Sequence, residues 1–270
     1  MKALTNPYWQ SQDEEQALYC ADALEWLREA PLASRADALI TDPPYASGGF
    51  SEAGRKAAGG QGLRSSTRRD RGWFSGDNMG TAGIAWLLRS MVVAARPLLK
   101  PTASILIFCD WRQVVNLAPA IESAGVRYQN LVVWDKGSPA LGRGFRAQHE
   151  LIMHFTCRAR AKYYDTGAGN VLTVKRPSST TRRHPTEKPI DLLADLIRVV
   201  TPHRGLIIDS FAGSGTVLAA ARAMGRRAVG IENDPAICET AAAWLTDYAA
   251  DMPGMVGRFQ LPLLASGETP

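Results

Sequence analysis

Two short stretches of this chain carry residue types whose spacing suits chemistry. The first is Ile40-Thr41-Asp42-Pro43-Pro44-Tyr45, which follows a mostly apolar run from Ala36 to Ile40, broken only by Asp37. Two prolines in succession fix two φ angles and remove two backbone donors. The chain therefore leaves its strand stiff and extended, with carbonyls able to accept. A carboxylate, bare carbonyls and an aromatic face together suit an exocyclic amine on a flat ring. The plainer alternative is a Pro-rich turn in which Asp42 serves only as a turn former.

The second stretch is Asp209-Ser210-Phe211-Ala212-Gly213-Ser214-Gly215-Thr216, placed after the apolar run Gly205 to Ile208 and before a helical pattern through Met224. Glycines at a strand-to-helix turn let backbone approach a ligand closely. Glu232 ends the next strand, Arg226 to Ile231, close to where a dinucleotide fold sets its ribose-binding carboxylate, about 20 residues on. A phosphate-binding P-loop would need Lys after the last glycine, and none follows Gly215. A nicotinamide site would want a third glycine where Leu218 stands, and would have no use for Asp209 beside a pyrophosphate. A nucleoside joined to an amino acid fits better, with the glycine turn and Asp209 facing the amino-acid part and Glu232 the ribose. S-adenosylmethionine is such a ligand. A glycine-rich turn that binds nothing is the alternative.

The elements that must position these stretches follow from periodicity. Gln16 to Cys20 reads as a strand and Leu24 to Glu29 as a short helix, with Asp22 between them as helix cap or ligand acceptor. Thr81 to Arg96 is helical, with Ile84, Leu87, Leu88, Met91 and Val92 on one face and Pro97 at its end. Ala103 to Phe108 is a buried strand. Asp110 then caps a helix from Trp111 to about Ala118, which Pro119 breaks or kinks. Arg127 to Trp134 and Glu150 to Cys157 are strands. His149, Glu150 and His154 lack the spacing of a zinc-protease helix and read as ordinary strand residues. Pro189 stands at the first position of an amphipathic helix ending at Val200, and Asp234-Pro235 begins another. Residues 1–15 look irregular.

The chain has 270 residues, 46% of them hydrophobic, enough for one large domain or one domain with an insertion. Its net charge of +5 and pI of about 9.1 mildly favour a polyanionic partner. Basic residues concentrate in two glycine-, serine- and threonine-rich regions. One holds Arg55, Lys56, Arg64, Arg68, Arg69 and Arg71; the other runs from Lys136 to Lys188, with Tyr163 and Tyr164 interleaved. Two solvated loops are the plain reading, and phosphate and base contact the functional one. Cys20, Cys109, Cys157 and Cys238 are widely spaced, as free, mostly buried thiols in a reducing compartment would be, and form no disulfide frame or zinc site. An apolar leader and a membrane-length apolar run are both missing, so the expectation is a cytoplasmic protein that takes no metal and touches no membrane.

Together the two stretches resemble those of DNA amino-methyltransferases of the beta arrangement, whose Asp-Pro-Pro-Tyr comes early and Phe-x-Gly-x-Gly-Thr late. Other segments are similar too. Asp22-Ala23-Leu24 resembles a family segment near the cofactor adenine. His184-Pro185-Thr186-Glu187-Lys188-Pro189 resembles one whose Thr and Lys lie near the cofactor's methionine end. Asp110-Trp111-Arg112 and Trp134-Asp135-Lys136 are similar to segments of phage and prophage members. The resemblance spans roughly residues 18 to 248. It implies an α/β, Rossmann-like methyltransferase fold with a mostly parallel sheet, one antiparallel strand and circularly permuted motif order. Residues 1–270 would form a single catalytic domain with a basic loop at about 46–78 and a target-recognition insertion at about 136–183. The implied activity is methyl transfer from S-adenosylmethionine to the N6 amine of adenine in double-stranded DNA after base flipping. Asp42, Pro43, Pro44 and Tyr45 would be catalytic. Asp22, Ala23, His184, Thr186, Lys188, Asp209, Phe211, Ala212, Gly213, Ser214, Gly215, Thr216, Glu232 and Asn233 would bind cofactor. Methylation of cytosine N4, of RNA or of a protein amide, and a DNA-binding regulator on an inactive scaffold, are the alternatives. The small recognition region implies that the basic loop, or the second subunit of a homodimer, shares DNA contact. A bacterial or phage source is implied.

Overall fold

The computed structural model describes residues 6–30, 35–45, 79–140, 143–158, 160–176 and 188–250. The basic loop of 46–78, together with His184 and Thr186, lies outside them.

Strand β3, Ala36–Thr41, is buried at every position, as its apolar run predicts for a strand covered on both faces. It pairs in parallel with β4, Leu99–Cys109, on one side and with β8, Leu206–Asp209, on the other. Beyond β8 come β9, Arg227–Glu232, then β2, Gln16–Cys20, both parallel. A two-residue strand β1, Trp9–Gln10, closes that edge antiparallel to β2, within a segment expected to be irregular. Beyond β4 the order is β6, His149–Thr156, then β5, Arg127–Asp135, then β7, Val171–Thr173. β6 runs against both its neighbours. The sheet is thus mixed and mostly parallel, with two antiparallel strands where one was expected. β7 is a further addition: its three residues lie in a stretch without apolar periodicity and gain strand form only by pairing with β5.

Helices cover both faces. α1 (Ala23–Glu29), α2 (Thr81–Ala95) and α3 (Val114–Glu122) pack on one side through Trp26, Leu27, Ile84, Leu88, Met91, Leu117 and Ile121. α4 (Ile190–Val200), α5 (Thr216–Ala223) and α6 (Pro235–Ala250) cover the other through Leu193, Ile197, Leu218 and Leu245. The strands alternate between the two cores: Ile40, Leu106 and Phe108 face α4 and α5, whereas Leu39, Ile105 and Ile107 face α2 and α3. Each such Leu, Ile or Phe, fully buried, contributes about 1.5–3 kcal/mol, which fixes the strand register.

Three local expectations change. Asp110 caps a turn and not a helix: its Oδ1 accepts from Arg112 N at 2.9 Å, and α3 starts only at Val114. Pro119 sits inside α3 without breaking it; the carbonyl its ring deprives of a partner belongs to Val115, which is 80% exposed, so water can serve it. Pro189 is the N-cap of α4, with ψ of 134°, and not its first helical residue. The four cysteines are free thiols, three buried and Cys20 half-buried. Among the described residues no helix is long and apolar enough to cross a membrane.

The chain leaves β3 through α2 to reach β4 in one direction, and leaves β8 through α5 to reach β9 in the other. The boundary between β3 and β8 is therefore a point where strand order reverses. Ligands of open α/β sheets bind beyond the carboxyl ends of the strands at such a point. Asp42 and Asp209 end those two strands.

Candidate active site

Thr41 joins the two stretches. Its hydroxyl, fully buried, donates to Asp209 Oδ1 at 2.8 Å and accepts from Phe211 N at 3.2 Å. The Pro-Pro corner and the glycine corner thus meet within one residue's reach, although 168 positions separate Thr41 from Asp209.

At the first corner Pro43 is buried, and Asp42, Pro44 and Tyr45 are half-buried. Asp42 Oδ2 lies 2.6 Å from Lys188 Nζ. Asp42 Oδ1 is buried with no hydrogen-bond partner among the described residues. Lys188, only 8% exposed, also donates to Tyr45 Oη at 3.1 Å and meets Glu150 Oε2 at 3.1 Å. Its ammonium stands 5.1 Å from the ring centroids of both Tyr45 and Phe108, within cation–π range. Tyr45 Oη donates in turn to Glu150 Oε2 at 3.1 Å. Lys136 Nζ reaches Glu150 Oε1 at 2.7 Å, and Arg176 at 3.4 Å.

The charges follow from burial and pairing. Burial pushes the Asp42 carboxyl up, against the pull of the Lys188 ammonium beside it. Burial would also raise Glu150, but Lys188 and Lys136 together hold it down to about 2. Burial alone would lower Lys188; Asp42 and Glu150 outweigh it and keep the ammonium charged. Burial, with Asp42 and Glu150 nearby, holds the Tyr45 hydroxyl protonated, well above its usual range.

At the second corner the turn between β8 and α5 places Gly213 at φ 51° and Gly215 at φ 79°, a region that strains L side chains. A Cβ on Gly215 would also stand 2.9 Å from Leu245 Cδ1. A Cβ on Gly213 would meet nothing nearer than Phe211 O at 4.0 Å, so that side of the turn is open to a ligand. Glu232 faces the turn: Oε2 accepts from Gly213 N at 3.0 Å, and Oε1 from Asn233 N and Asp234 N, each at 2.9 Å. Ser214 and Thr216 share a hydroxyl hydrogen bond of 2.8 Å. β2 lies beside β9, and Ala21 N donates to Glu232 O at 2.8 Å, which brings Asp22 and Ala23 next to Glu232 and Asn233. Asp22 caps α1, its Oδ1 accepting from Glu25 N at 3.0 Å.

Donors and acceptors for a nucleoside with an amino-acid arm are therefore gathered along one sheet edge: Glu232 and the Asp22 segment at one end, Gly213 to Thr216 in the middle, and Asp42 with its unpartnered oxygen at the other. Asp209, expected to face the amino-acid part, is buried and braces the two corners through Thr41 and Phe211 N. Lys188, expected near the methionine end, pairs with Asp42.

Residue types and periodicity left Glu150 and Thr41 without a role and put Lys136 only in the basic region. Glu150 stands at the start of a strand, and a strand's start lies far from the catalytic edge in a parallel sheet. It reaches that edge because β6 is antiparallel, with Leu151 opposite Cys109. Knowing that direction was the missing signal. The same reversal carries Lys162, Tyr163 and Tyr164 away from the site. Lys162 N bonds Thr102 O at the start of β4, and Tyr163 stands edge-on to His154 with centroids 5.8 Å apart. The chain next returns to the catalytic edge through β7 and Arg176.

The chain is similar to known DNA methyltransferases. The chain is 25% identical over 258 residues to the Type II methyltransferase M2.LlaDCHI of Lactococcus lactis subsp. cremoris, covering 86% of this chain and 88% of that one. It is 25% identical over 254 residues to M2.DpnII of Streptococcus pneumoniae, covering 85% and 88%. Its fold is similar to that of M1.HpyAVI in complex with SAM, with a TM-score of 0.63 at 23% identity over 85% of this chain and 98% of that one. It is also similar to PvuII DNA methyltransferase (cytosine-N4-specific), with a TM-score of 0.66 at 17% identity over 91% and 94%. The family model described as DNA methylase, N6_N4_Mtase, matches residues 36–243, a span that contains both corners and the strands that hold them, and the chain belongs to that family.

Proposed function

We propose that this DNA methylase transfers a methyl group from S-adenosylmethionine to the exocyclic N6 amine of adenine in double-stranded DNA. The observation that carries this reading is the Thr41 junction, which sets an unpartnered, buried carboxylate oxygen of Asp42 beside the open face of the glycine turn. Adenine is favoured over cytosine because the Pro-Pro-Tyr segment is led by Asp42: in the family that this sequence resembles, Asp there usually goes with adenine and Ser with cytosine.

Glu232, Asn233, Asp22 and Ala23 hold the nucleoside end of the donor, and the turn from Phe211 to Thr216 holds its amino-acid end, with Asp209 bracing that turn. His184 and Thr186 belong to the same set by resemblance. Bound there, S-adenosylmethionine supplies a methyl group on a sulfonium sulfur. The adenine amine is a poor nucleophile because its lone pair is delocalised into the ring. Asp42 Oδ1 and the Pro43 carbonyl accept its two hydrogens and favour a localised lone pair on nitrogen. Positioning of the amine then supplies much of the acceleration. The proton that the amine loses on methylation passes to Asp42, whose carboxyl is raised by burial and so receives it more readily.

The target cannot be reached inside a duplex and is flipped out, at a cost of a few kcal/mol. Tyr45 stacks on the extruded ring, which offsets about 1–3 kcal/mol. Basic residues of 46–78 and of 136–183 meet backbone phosphates without reading sequence. Residues 1–270 act as one catalytic domain with a Rossmann-like, circularly permuted arrangement, in the cytoplasm of a bacterium, and a homodimer would let two basic loops share one duplex.

Asp42→Ala is expected to keep S-adenosylmethionine binding by calorimetry while methyl transfer to duplex DNA drops below detection. Near-normal turnover by that variant would overturn the role of Asp42. Mass spectrometry of nucleosides from treated DNA separates N6-methyladenine from N4-methylcytosine. Cofactor binding without any methylated nucleoside would instead identify a DNA-binding regulator.

A further inference from the structure

The transfer just described uses Asp42 and Tyr45 and gives Glu150 nothing to do. Yet Glu150 is the group on which the other charges of the site converge. Its Oε1 pairs with Lys136 at 2.7 Å, and its Oε2 takes both Lys188 and Tyr45 Oη at 3.1 Å. An ammonium has three N–H donors and no acceptor. Those of Lys188 are matched by Asp42 Oδ2, Tyr45 Oη and Glu150 Oε2, which leaves none for Asp42 Oδ1. That oxygen is accordingly buried without a partner among the described residues. A buried acceptor left bare is costly, and is retained where a donor arrives during function.

Building on the reading of Asp42 as acceptor of the amine hydrogen, we infer that Glu150 is a positioning residue for methyl transfer. It holds Lys188 on Oδ2 of Asp42, so that Oδ1 alone is offered to the target amine. Without the charge of Glu150, Lys188 keeps a single carboxylate partner. It is then free to bridge both oxygens of Asp42 and take the acceptor the amine requires. Lys136, itself buried, confines Glu150 from its other side, and the half-exposed Arg176 reaches the same oxygen at 3.4 Å. The remaining groups near Asp42 are Cys109 on β4 and Asp209 on β8. The first is held protonated by burial, and the second is committed to Thr41.

The test is kinetic and structural. In Glu150→Gln, kcat for DNA methylation is expected to fall about tenfold or more while KM for S-adenosylmethionine stays within about twofold. Because Glu150 acts through Lys188, the double variant Lys188→Met, Glu150→Gln is expected to lose no more than the worse single one. A crystal structure of Glu150→Gln is expected to show Lys188 Nζ moved toward Asp42 Oδ1. Unchanged kcat in a variant that binds cofactor, losses that multiply in the double variant, or an unmoved Lys188 would each overturn the assignment. Should Glu150→Gln not fold, Glu150→Asp carries the same test: it keeps the charge, must retain part of kcat, and sinks the idea if it is as inactive as Lys188→Met. A wild-type protein that yields no methylated nucleoside removes the proposed activity, and the position of Lys188 in the variant structure still decides what Glu150 holds.

Discussion

Thr41 Oγ1 is the atom through which the two corners communicate. It is buried between Asp209 Oδ1 and Phe211 N, and so ties β3 directly to the glycine turn. Thr41→Val keeps the shape and removes the hydroxyl, so Phe211 N and Asp209 Oδ1 lose their shared partner on β3 and keep only each other, at 3.1 Å. The expected cost is about 1–3 kcal/mol of stability, measured by urea unfolding. Weaker S-adenosylmethionine binding should accompany it, because the turn loses its brace to β3. A variant as stable as the parent, with unchanged cofactor affinity, would mean that Asp209 and Phe211 hold the turn without help. Thr41 stood in plain view beside Asp42 in the sequence. Its partner is 168 positions away, so nothing local could assign the bond.

Among elements, α1 and β6 show how direction and capping decide what a residue does. Asp22 caps α1 through Glu25 N, and the pairing of β2 with β9 sets it next to Glu232. The two roles weighed for Asp22 are thus compatible in space, and one variant separates them. Asp22→Ala should cost about 0.5–2 kcal/mol from loss of the cap. If the Asp22 segment also meets the cofactor, S-adenosylmethionine affinity falls in calorimetry by more than the stability loss explains; unchanged affinity would reduce Asp22 to a cap. Most long elements were legible because their apolar spacing is set by burial on one helix face or on both faces of a central strand. The α4 stripe of Leu193, Leu196, Ile197 and Val200 is buried as its spacing predicts. The failures share a cause. β1 and β7 have almost no pattern of their own and exist by pairing, and the reversed direction of β6 moves Glu150 to the catalytic edge and Tyr163 away from it.

For the molecule as a whole, two buried groups on different strands set opposing pH slopes. Burial, with smaller contributions from Asp42 and Glu232, pushes Asp209 up to about 7 from 3.8. A carboxyl raised on folding binds more protons folded than unfolded, so its contribution is complete below about pH 4 and is lost as pH rises toward about 7. Burial pushes His154 on β6 down to about 4 from 6.5, which makes stability rise with pH over that interval. Glu150, held down to about 2, weakens the fold only as pH drops below about 4.5. Removing the Asp209 carboxyl removes a falling contribution, so between about pH 4.5 and 6.5 the stability of Asp209→Asn should climb more steeply with pH, or fall less, than that of the wild type. Urea midpoints at several pH values check this, and a slope unchanged from the wild type would contradict the assignment to Asp209. What the amino-acid order determined by itself was the pair of corners, the strands and helices that flank them, and hence the family, because each of these is written in contiguous residues whose φ angles, charges and apolar spacing act locally. What only the tertiary structure decided was the partnership of Thr41 with Asp209 and of Asp42 with Lys188 and Glu150. Those bonds depend on strand order and direction, which arise when distant segments share one sheet and bury its two faces together.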